Sequence, residues 1–328
     1  MSLSKPFFWI LVAVVAVFAS VPGLTNNVAL RESLLLSAVS IILASNLNLM
    51  IGFTGYVNFG NIVFFGLGGY FGVWLVVVAG VNLYIAALTG GLMVSFIAFL
   101  FGTGILRLRG AFFALATIGI AEAVKAFVSN FEPWGGATGL YLPLSTLIEF
   151  GGGGKTRIAM NNTMWTVYYL MIGIMAASLF LSYWIKRSKF GLGLFAIRED
   201  EEAAAVLGVN TPRTKAIIYS VSGFLPALAG AFYFFKSGLI KPEEAFDLHR
   251  SIEAIVMVML GGQGSITGPA VGALLYDQLR GYLLTDPVLS SFQLVIAGAL
   301  LLACVLFVPG GLMGWIYGRW PALRGILE

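Results

Sequence analysis

Long apolar segments are the feature that most restricts how this chain of 328 residues can fold. Each is long enough to cross a bilayer, which takes ~20 residues of helix. Because no apolar–polar alternation of period two runs through them, they predict helices and not the strands of a β-barrel. The segments lie near residues 7–22, 31–51, 59–80, 83–106, 111–130, 163–185, 214–236, 250–266, 268–284 and 290–308. The sequence therefore predicts an all-α, polytopic bundle of about ten transmembrane spans, forming a single transmembrane domain over residues 1–328.

Composition excludes a soluble protein. Hydrophobic residues make up 59% of the chain and charged residues 10%, whereas a soluble domain carries about 25% charged residues. The net charge of +4 is expected from cytoplasmic loops and does not indicate nucleic-acid binding. His249 is the only histidine and Cys304 the only cysteine, so the chain lacks the parts for a multi-histidine metal site or nucleophilic catalysis. We expect no cofactor and no enzymatic activity.

Basic residues predict how the chain lies in the membrane. With ten crossings, the main groups of Lys and Arg fall on the same side, and this side is expected to be the cytoplasm. These groups lie at Lys5, at 107–109, at 186–215 and at 319–324. Both termini are then cytoplasmic, and the loop 131–162 is extracytoplasmic.

Two of the apolar regions are interrupted by glycine and polar residues. Unpaired polar groups in hydrocarbon cost several kcal/mol, so they persist where protein or water satisfies them. Many transporters build a solute path near the middle of the membrane from such broken helices. We therefore predict breaks near 52–61 and 261–268, and a solute path between them. The predicted path residues are Asn48, Gly52, Thr54, Gly55, Asn58, Asn61, Gly261, Gly262, Gln263, Gly264 and Ser265. The alternative is that the glycines allow close helix packing.

The segment 186–215 is the strongly polar part of the chain and is expected in the cytoplasm. Its composition predicts a short helix over 198–208, which Gly208 and the following Pro212 would end. Leu194, Ile197, Ala204 and Leu207 would form its apolar face. Such a helix is suited to a groove on a partner protein. The alternative is a solvated connector without a partner.

Four stretches of the sequence carry a family resemblance. Glu202, Ala203, Ala204 and Gly208 resemble the loop of ABC importer permeases that docks on the ATPase subunit. Together the four stretches, which span roughly 33–310, resemble the LivM-type branched-chain amino acid permease family. They read NLNLMIGFTGYVNFGNIVFFGLGGY, FGLGLFAIREDEEAAAVLGVN, SVSGFLPALAGAFY and SIEAIVMVMLGGQGSITGPAVGALL.

This resemblance implies an all-helical permease that forms a heterodimer with a LivH-like permease. It also implies two cytoplasmic ABC ATPase subunits and an extracytoplasmic solute-binding protein, with ATP hydrolysis confined to the ATPases. The residues expected to couple to the ATPase are Arg198, Glu199, Asp200, Glu202, Ala203, Ala204 and Gly208.

The expected function is therefore import of branched-chain or other apolar amino acids through the inner membrane. A permease for urea or short amides is an alternative within the same class. An ion-coupled secondary transporter is a further alternative, although it would not need a loop that seats an ATPase. A channel is disfavoured because the sequence has no charged ring or carbonyl-filter repeat.

Overall fold

The computed structural model describes residues 5–25, 27–285, 292–307 and 310–320. Within these ranges the fold is almost entirely helical. The helices are α1 (Lys5–Thr25), α2 (Val28–Thr54), α3 (Asn61–Ala79), α4 (Leu83–Ile105), α5 (Ala111–Asn130), α6 (Leu144–Phe150), α7 (Thr156–Lys186), α8 (Lys189–Glu199), α9 (Glu201–Val206), α10 (Thr211–Ser237), α11 (Pro242–Ala245), α12 (Leu248–Gly261), α13 (Gly268–Thr285), α14 (Gln293–Phe307) and α15 (Gly311–Arg319). Two short 3₁₀ turns, Glu132–Trp134 and Gly136–Thr138, precede the strand β1 (Leu140–Tyr141), and β2 (Leu239–Ile240) follows α10.

The prediction of an all-α, polytopic membrane fold is confirmed. Six described helices are long and apolar enough to cross a membrane: α2, α3, α4, α5, α7 and α10. The other four predicted spans overlap α1, α12, α13 and α14. These four helices are not among those that are long and apolar enough to cross a membrane. The predicted loop 131–162 is shorter than expected, because α7 begins at Thr156, and it contains α6 and β1.

The chain forms two compact units, each assembled from separated segments. The first combines Met1–Tyr56, Met175–Val209 and His249–Glu328, and the second combines Val57–Ile174 and Asn210–Leu248. The long helix α7 thus contributes its first part to the second unit and its last part to the first unit.

The second unit is built on close packing of α3 against α10. A Cβ atom at Gly68 or Gly72 would overlap Ala227 or Ala231 of α10, and one at Gly230 would overlap the Phe65 carbonyl. Small residues let helix backbones approach in this way within membranes. The structure therefore supports close helix packing as the role of these glycines, which is the alternative to lining a solute path.

Side-chain and strand contacts complete the second unit. The Ser220 hydroxyl donates to the Ser95 carbonyl at 2.7 Å and links α10 to α4. The strands β1 and β2 pair antiparallel, with Leu140 opposite Ile240. This pairing ties the loop after α5 to the end of α10.

In the first unit, the second half of α2 is enclosed on all its faces. In its most apolar 18-residue window, 83% of the residues are buried, and the side chains from Ile41 to Thr54 are all buried. A helix that is apolar around its whole circumference is expected in an interior position. This burial makes its polar residues Asn46 and Asn48 dependent on protein partners.

Candidate functional site

The first predicted break is present between α2 and α3. The helix α2 ends at Thr54, and Gly55 adopts a φ of 77° while its N–H bonds to the Ile51 carbonyl. A left-handed glycine at this position is a common way to end a helix. The break therefore follows 27 continuous residues of helix, about 40 Å at 1.5 Å per residue.

The second predicted break is present between α12 and α13. The helix α12 ends at Gly261 and α13 begins at Gly268. Gly262 and Gly264 take φ values of 118° and 79°, which side-chain-bearing residues rarely adopt. The Ser265 hydroxyl donates to the Gly262 carbonyl at 2.8 Å and accepts from the Gly268 N–H at 3.0 Å. Ser265 therefore caps the start of α13 as it holds the turn.

Asn48 of α2 joins the two breaks within the first unit. Its amide oxygen accepts from the Gly264 N–H at 2.9 Å, and its amide nitrogen donates to the Ser265 carbonyl at 2.8 Å. The side chain is 1% exposed. Asn48 thus satisfies two backbone groups that the turn between α12 and α13 leaves without helical partners.

Gly52 allows this close approach. A Cβ atom at Gly52 would overlap the Asn48 amide oxygen and the Gly264 nitrogen. Since Gly52 lies one helical turn after Asn48, both face the same turn. At this position a larger residue would push α2 and the 262–267 turn apart.

The polar segment 186–215 also contacts α2 at Gly52. The Arg198 guanidinium at the end of α8 donates to the Gly52 carbonyl, and the Tyr56 hydroxyl donates to the Glu201 carboxylate at 2.7 Å. The last carbonyls of a helix lack intrahelical partners, and its carboxyl end favours a cation. Arg198 supplies both a donor and a positive charge. We call this cluster of Asn48, Gly52, Arg198, Gly264 and Ser265 the break junction.

The remaining predicted path residues lie apart from these contacts. The Thr54 hydroxyl donates to the Met50 carbonyl of its own helix, and Gln263 is partly exposed. In the second unit, the Asn58 side chain accepts from the Gly60 N–H at 2.9 Å, and the Phe59 N–H donates to the Thr117 hydroxyl. Asn61 is 1% exposed at the start of α3. Their part in a solute path stays a prediction.

The predicted helix over 198–208 is divided in two. The helix α8 ends at Glu199 and α9 begins at Glu201, with Asp200 extended between them at a φ of −156°. The Asp200 carboxylate accepts from the N–H groups of Glu202 and Ala203 at 2.8 and 3.0 Å. This is an N-cap, which starts a new helix, so the prediction of one continuous helix is wrong. We call this joint the elbow.

The apolar face of this segment is predicted correctly except at its end. Leu194, Ile197 and Ala204 are buried as expected. Leu207, in contrast, is 82% exposed, and the neighbouring Val206 is 88% exposed. Val206 is the last residue of α9 and Leu207 directly follows it, just before Gly208 turns the chain at a φ of 92°. Adjacent exposed aliphatic residues on a polar loop are typical of a protein contact.

Sequence reasoning missed the contacts that attach the elbow to α2. Arg198 and Gly52 are 146 positions apart, and Tyr56 and Glu201 are 145 apart. No spacing rule relates such distant residues. The one available signal is that the loop begins its acidic run directly after a single arginine.

Comparisons with known proteins agree with this architecture. The model of a family described as branched-chain amino acid transport system / permease component matches residues 29–305. The chain is 28% identical to the permease LivM of Escherichia coli over 294 residues, which cover 85% of this chain and 68% of LivM. It is also 28% identical to LivH of Salmonella typhimurium over 81% of this chain and 82% of LivH.

A third relative has a different named solute. The ribose import permease RbsC of Bacillus subtilis is 34% identical over 149 residues, which cover 42% of this chain and 46% of RbsC. No solved structure matches the chain significantly.

Proposed function

Because this chain belongs to the family of branched-chain amino acid transport system permease components, and is therefore an ABC importer permease, we propose that it is the LivM-like half of a permease pair. Its partners are a LivH-like permease, two cytoplasmic ABC ATPases and an extracytoplasmic solute-binding protein. The similarity to both LivM and LivH supports this assembly. The chain crosses the inner membrane ten times, with both termini in the cytoplasm.

One observation carries the proposal: α9 offers an exposed surface and is attached at its base to α2. The exposed residues of α9 include Glu202, Ala203 and Val206, and Leu207 directly after the helix is exposed as well. Small and aliphatic residues flanked by a carboxylate suit a groove on another protein, in the way that an amphipathic helix docks. A secondary transporter working alone has no use for such a surface.

The break junction supplies the route by which movement of α9 reaches the membrane helices. When the ATPases close on ATP, they displace α9, and the elbow passes this displacement to Arg198. The guanidinium moves the Gly52 carbonyl at the end of α2, and Asn48 moves the turn between α12 and α13. Packed elements with two discrete arrangements can carry such coupling across a protein.

The proposed solute is a branched-chain or other apolar amino acid. Supporting this choice, the similarity to LivM extends over 85% of the chain, whereas that to RbsC extends over 42%. Urea and short amides are the competing solutes, because the residues of the two breaks are not specific to a zwitterion.

Reconstitution tests the proposal. The chain is placed in proteoliposomes with its permease partner, the two ATPases and the loaded binding protein, and uptake of leucine, isoleucine, valine and urea is measured. We expect ATP-dependent uptake of the branched-chain amino acids and none of urea. Uptake by this chain without the ATPases would contradict the ABC mechanism. Transport of urea alone would contradict the choice of solute.

A further inference from the structure

A buried lysine holds the end of α4. The Lys215 ammonium, near the start of α10, donates to the Leu106 carbonyl at 2.7 Å, and Leu106 is the residue that ends α4. Lys215 and Leu106 are each 3% exposed. Among the described residues of the second unit, Lys215 is the one charged residue that is buried. Because burying an ammonium group costs free energy that its contacts must offset, this lysine calls for a more specific role than general packing.

Two other helices of the second unit end without a charged side chain. The helix α3 ends at Gly80 with a φ of 60°, and α10 ends at Gly238 with a φ of 71°. Each glycine bonds through its own N–H to a carbonyl of its helix, which is a common way to end a helix. Leu106 has a φ of −74°, and its carbonyl instead receives a cation carried by a different helix, which the carboxyl end of a helix favours. Capping alone does not require a lysine from α10, so Lys215 has the additional effect of joining two helices.

The same kind of contact occurs on the other side of α9 along the chain. Arg198, just before α9, donates to the Gly52 carbonyl in the last turn of α2, and Lys215 follows α9 and donates to Leu106. The exposed helix α9 therefore lies in sequence between two cations, each bonded to a carbonyl at the end of a long helix. The first contact lies within the first unit, and the second contact lies within the second unit.

The link from α9 to Lys215 is short and hydrogen-bonded. The Val209 N–H donates to the Ala204 carbonyl of α9 at 3.0 Å. The Asn210 side chain accepts from the Arg213 N–H at 3.3 Å and caps the start of α10. Since bonded residues follow one another from α9 into α10, a displacement of α9 pulls directly on the turn that carries Lys215.

Beyond Lys215, the helices α4 and α10 stay in close contact. A Cβ atom at Gly102 would lie 3.1 Å from the Tyr219 ring, and one at Gly91 would lie 3.1 Å from the Phe224 ring. These contacts follow one another along both helices. Because packed interiors have low compressibility and transmit strain, a pull at the start of α10 moves α4 with it.

We propose that Lys215 is a positioning residue for transport, which gives α9 a second attachment, to α4, beside that of Arg198 to α2. Displacement of α9 by the ATPases then moves the second unit through Leu106 as well as the first unit through Gly52. This inference rests on the proposed function and adds to it a residue outside the break junction. Without the Lys215 contact, the ATPases still bind and hydrolyse ATP, but part of each displacement fails to move α4, and less solute is imported per ATP.

The ratio of ATP hydrolysed to leucine imported tests the proposal. It is measured in proteoliposomes that hold the chain, its permease partner, the two ATPases and the loaded binding protein. Lys215→Met keeps the length of the side chain but removes the donor, and Lys215→Arg keeps a cation. We expect Lys215→Met to raise the ratio several-fold while the ATPases still co-purify, and Lys215→Arg to restore it. Arg213→Met, which removes an exposed cation of the same helix, should leave the ratio unchanged.

A purely structural cap would give a different result. Lys215→Met would then lower the unfolding temperature of the complex and the amount recovered, but the recovered complex would hydrolyse the usual amount of ATP per leucine. An unchanged ratio would overturn the proposal.

A second pair of variants leaves the buried lysine intact, so the proposal stays testable if Lys215→Met does not assemble. Asn210→Gly loosens the link between α9 and α10 at an exposed position, and glycine is well tolerated where a helix begins. Asn82→Gly is the matched control, because Asn82 caps the opposite end of α4 by accepting from the Tyr84 N–H at 3.0 Å. We expect Asn210→Gly alone to raise the ratio of ATP to leucine, and equal ratios would overturn the proposal. Failure of the unmodified complex to import leucine with ATP would refute the proposed function itself, and this inference with it.

Discussion

At Gly52 the absence of a side chain lets α2 approach the turn between α12 and α13 closely enough for Asn48 to bridge them. Three of the five groups that meet at this point belong to the backbone: the Gly52 and Ser265 carbonyls and the Gly264 N–H. At residue scale the break junction therefore depends on close approach and on one amide and one guanidinium. A small increase in side-chain volume at the break junction should therefore lower the stability of the fold.

Gly52→Ala is expected to lower the free energy of unfolding by about 1–3 kcal/mol, because the added methyl overlaps Asn48 and Gly264. This loss exceeds the gain in helix propensity of about 1 kcal/mol from replacing glycine by alanine. Gly173→Ala is the matched control, since a Cβ atom at Gly173 meets nothing within 4 Å. Thermal unfolding of the purified complex in detergent measures both. Equal midpoints for the two variants would contradict the close approach.

The sequence identifies the glycines but does not separate their roles. Gly52 and Gly68 lie in the same glycine-rich stretch, yet the first abuts a turn of the first unit and the second packs on Ala227 of the second unit. Neither position has room for a Cβ atom, so the sequence has glycine at both although the two glycines make different contacts. The partner that distinguishes them comes more than 150 positions later, and single-sequence reasoning has no means of finding it.

At the scale of elements, the elbow separates two functions that the sequence predicts as one. The composition of residues 198–208 favours helix throughout, but Asp200 bonds to the N–H groups of Glu202 and Ala203 and starts a second helix. Aspartate competes for nearby backbone N–H groups and so favours caps over helix interiors. As a result, α8 holds the anchor to α2 and α9 holds the exposed surface.

Arg198→Gln and Leu207→Ser should therefore fail in different ways. Loss of the guanidinium weakens a charge-assisted bond to Gly52, worth about 1.5–3 kcal/mol, so solute uptake should fall roughly tenfold while the ATPases stay bound. Leu207→Ser removes an exposed aliphatic contact and should reduce ATPase binding. Co-purification and uptake assays distinguish the two outcomes.

Matched substitutions elsewhere in the same segment serve as controls. Arg213→Gln removes an exposed arginine near the start of α10, and Leu192→Ser removes a leucine on α8 that is 67% exposed. Both should keep uptake and ATPase binding. If Arg198→Gln released the ATPases as Leu207→Ser does, the anchor and the docking surface would not be separate.

At the scale of the whole molecule, the length of the hydrophobic segments carries most of the information about where the helices lie. All ten predicted spans coincide with helices, because crossing a bilayer requires a long apolar stretch whatever its neighbours are. The helix α7 begins seven residues before the predicted span, because 156–162 is too polar to count as part of an apolar segment. The division into two units was not foreseen, since it depends on how segments far apart in the chain pack.

Surface labelling of whole cells tests the orientation. In a Cys304→Ser background, Lys155→Cys lies between α6 and α7 and Arg213→Cys lies near the start of α10. A membrane-impermeant thiol reagent should label the first in intact cells and the second after permeabilisation, because basic loops stay in the cytoplasm. The reverse pattern would invert the molecule and place α9 out of reach of a cytoplasmic ATPase.

The enclosed position of α2 has a consequence for biogenesis. The ribosome releases Asn48 long before Gly264, which lies 216 residues later in the chain. Until Gly264 and Ser265 are synthesised, the Asn48 amide lacks these two backbone partners. A nascent permease that stalls before the last few helices would display α2 with this amide unpaired and become a natural substrate for membrane proteases.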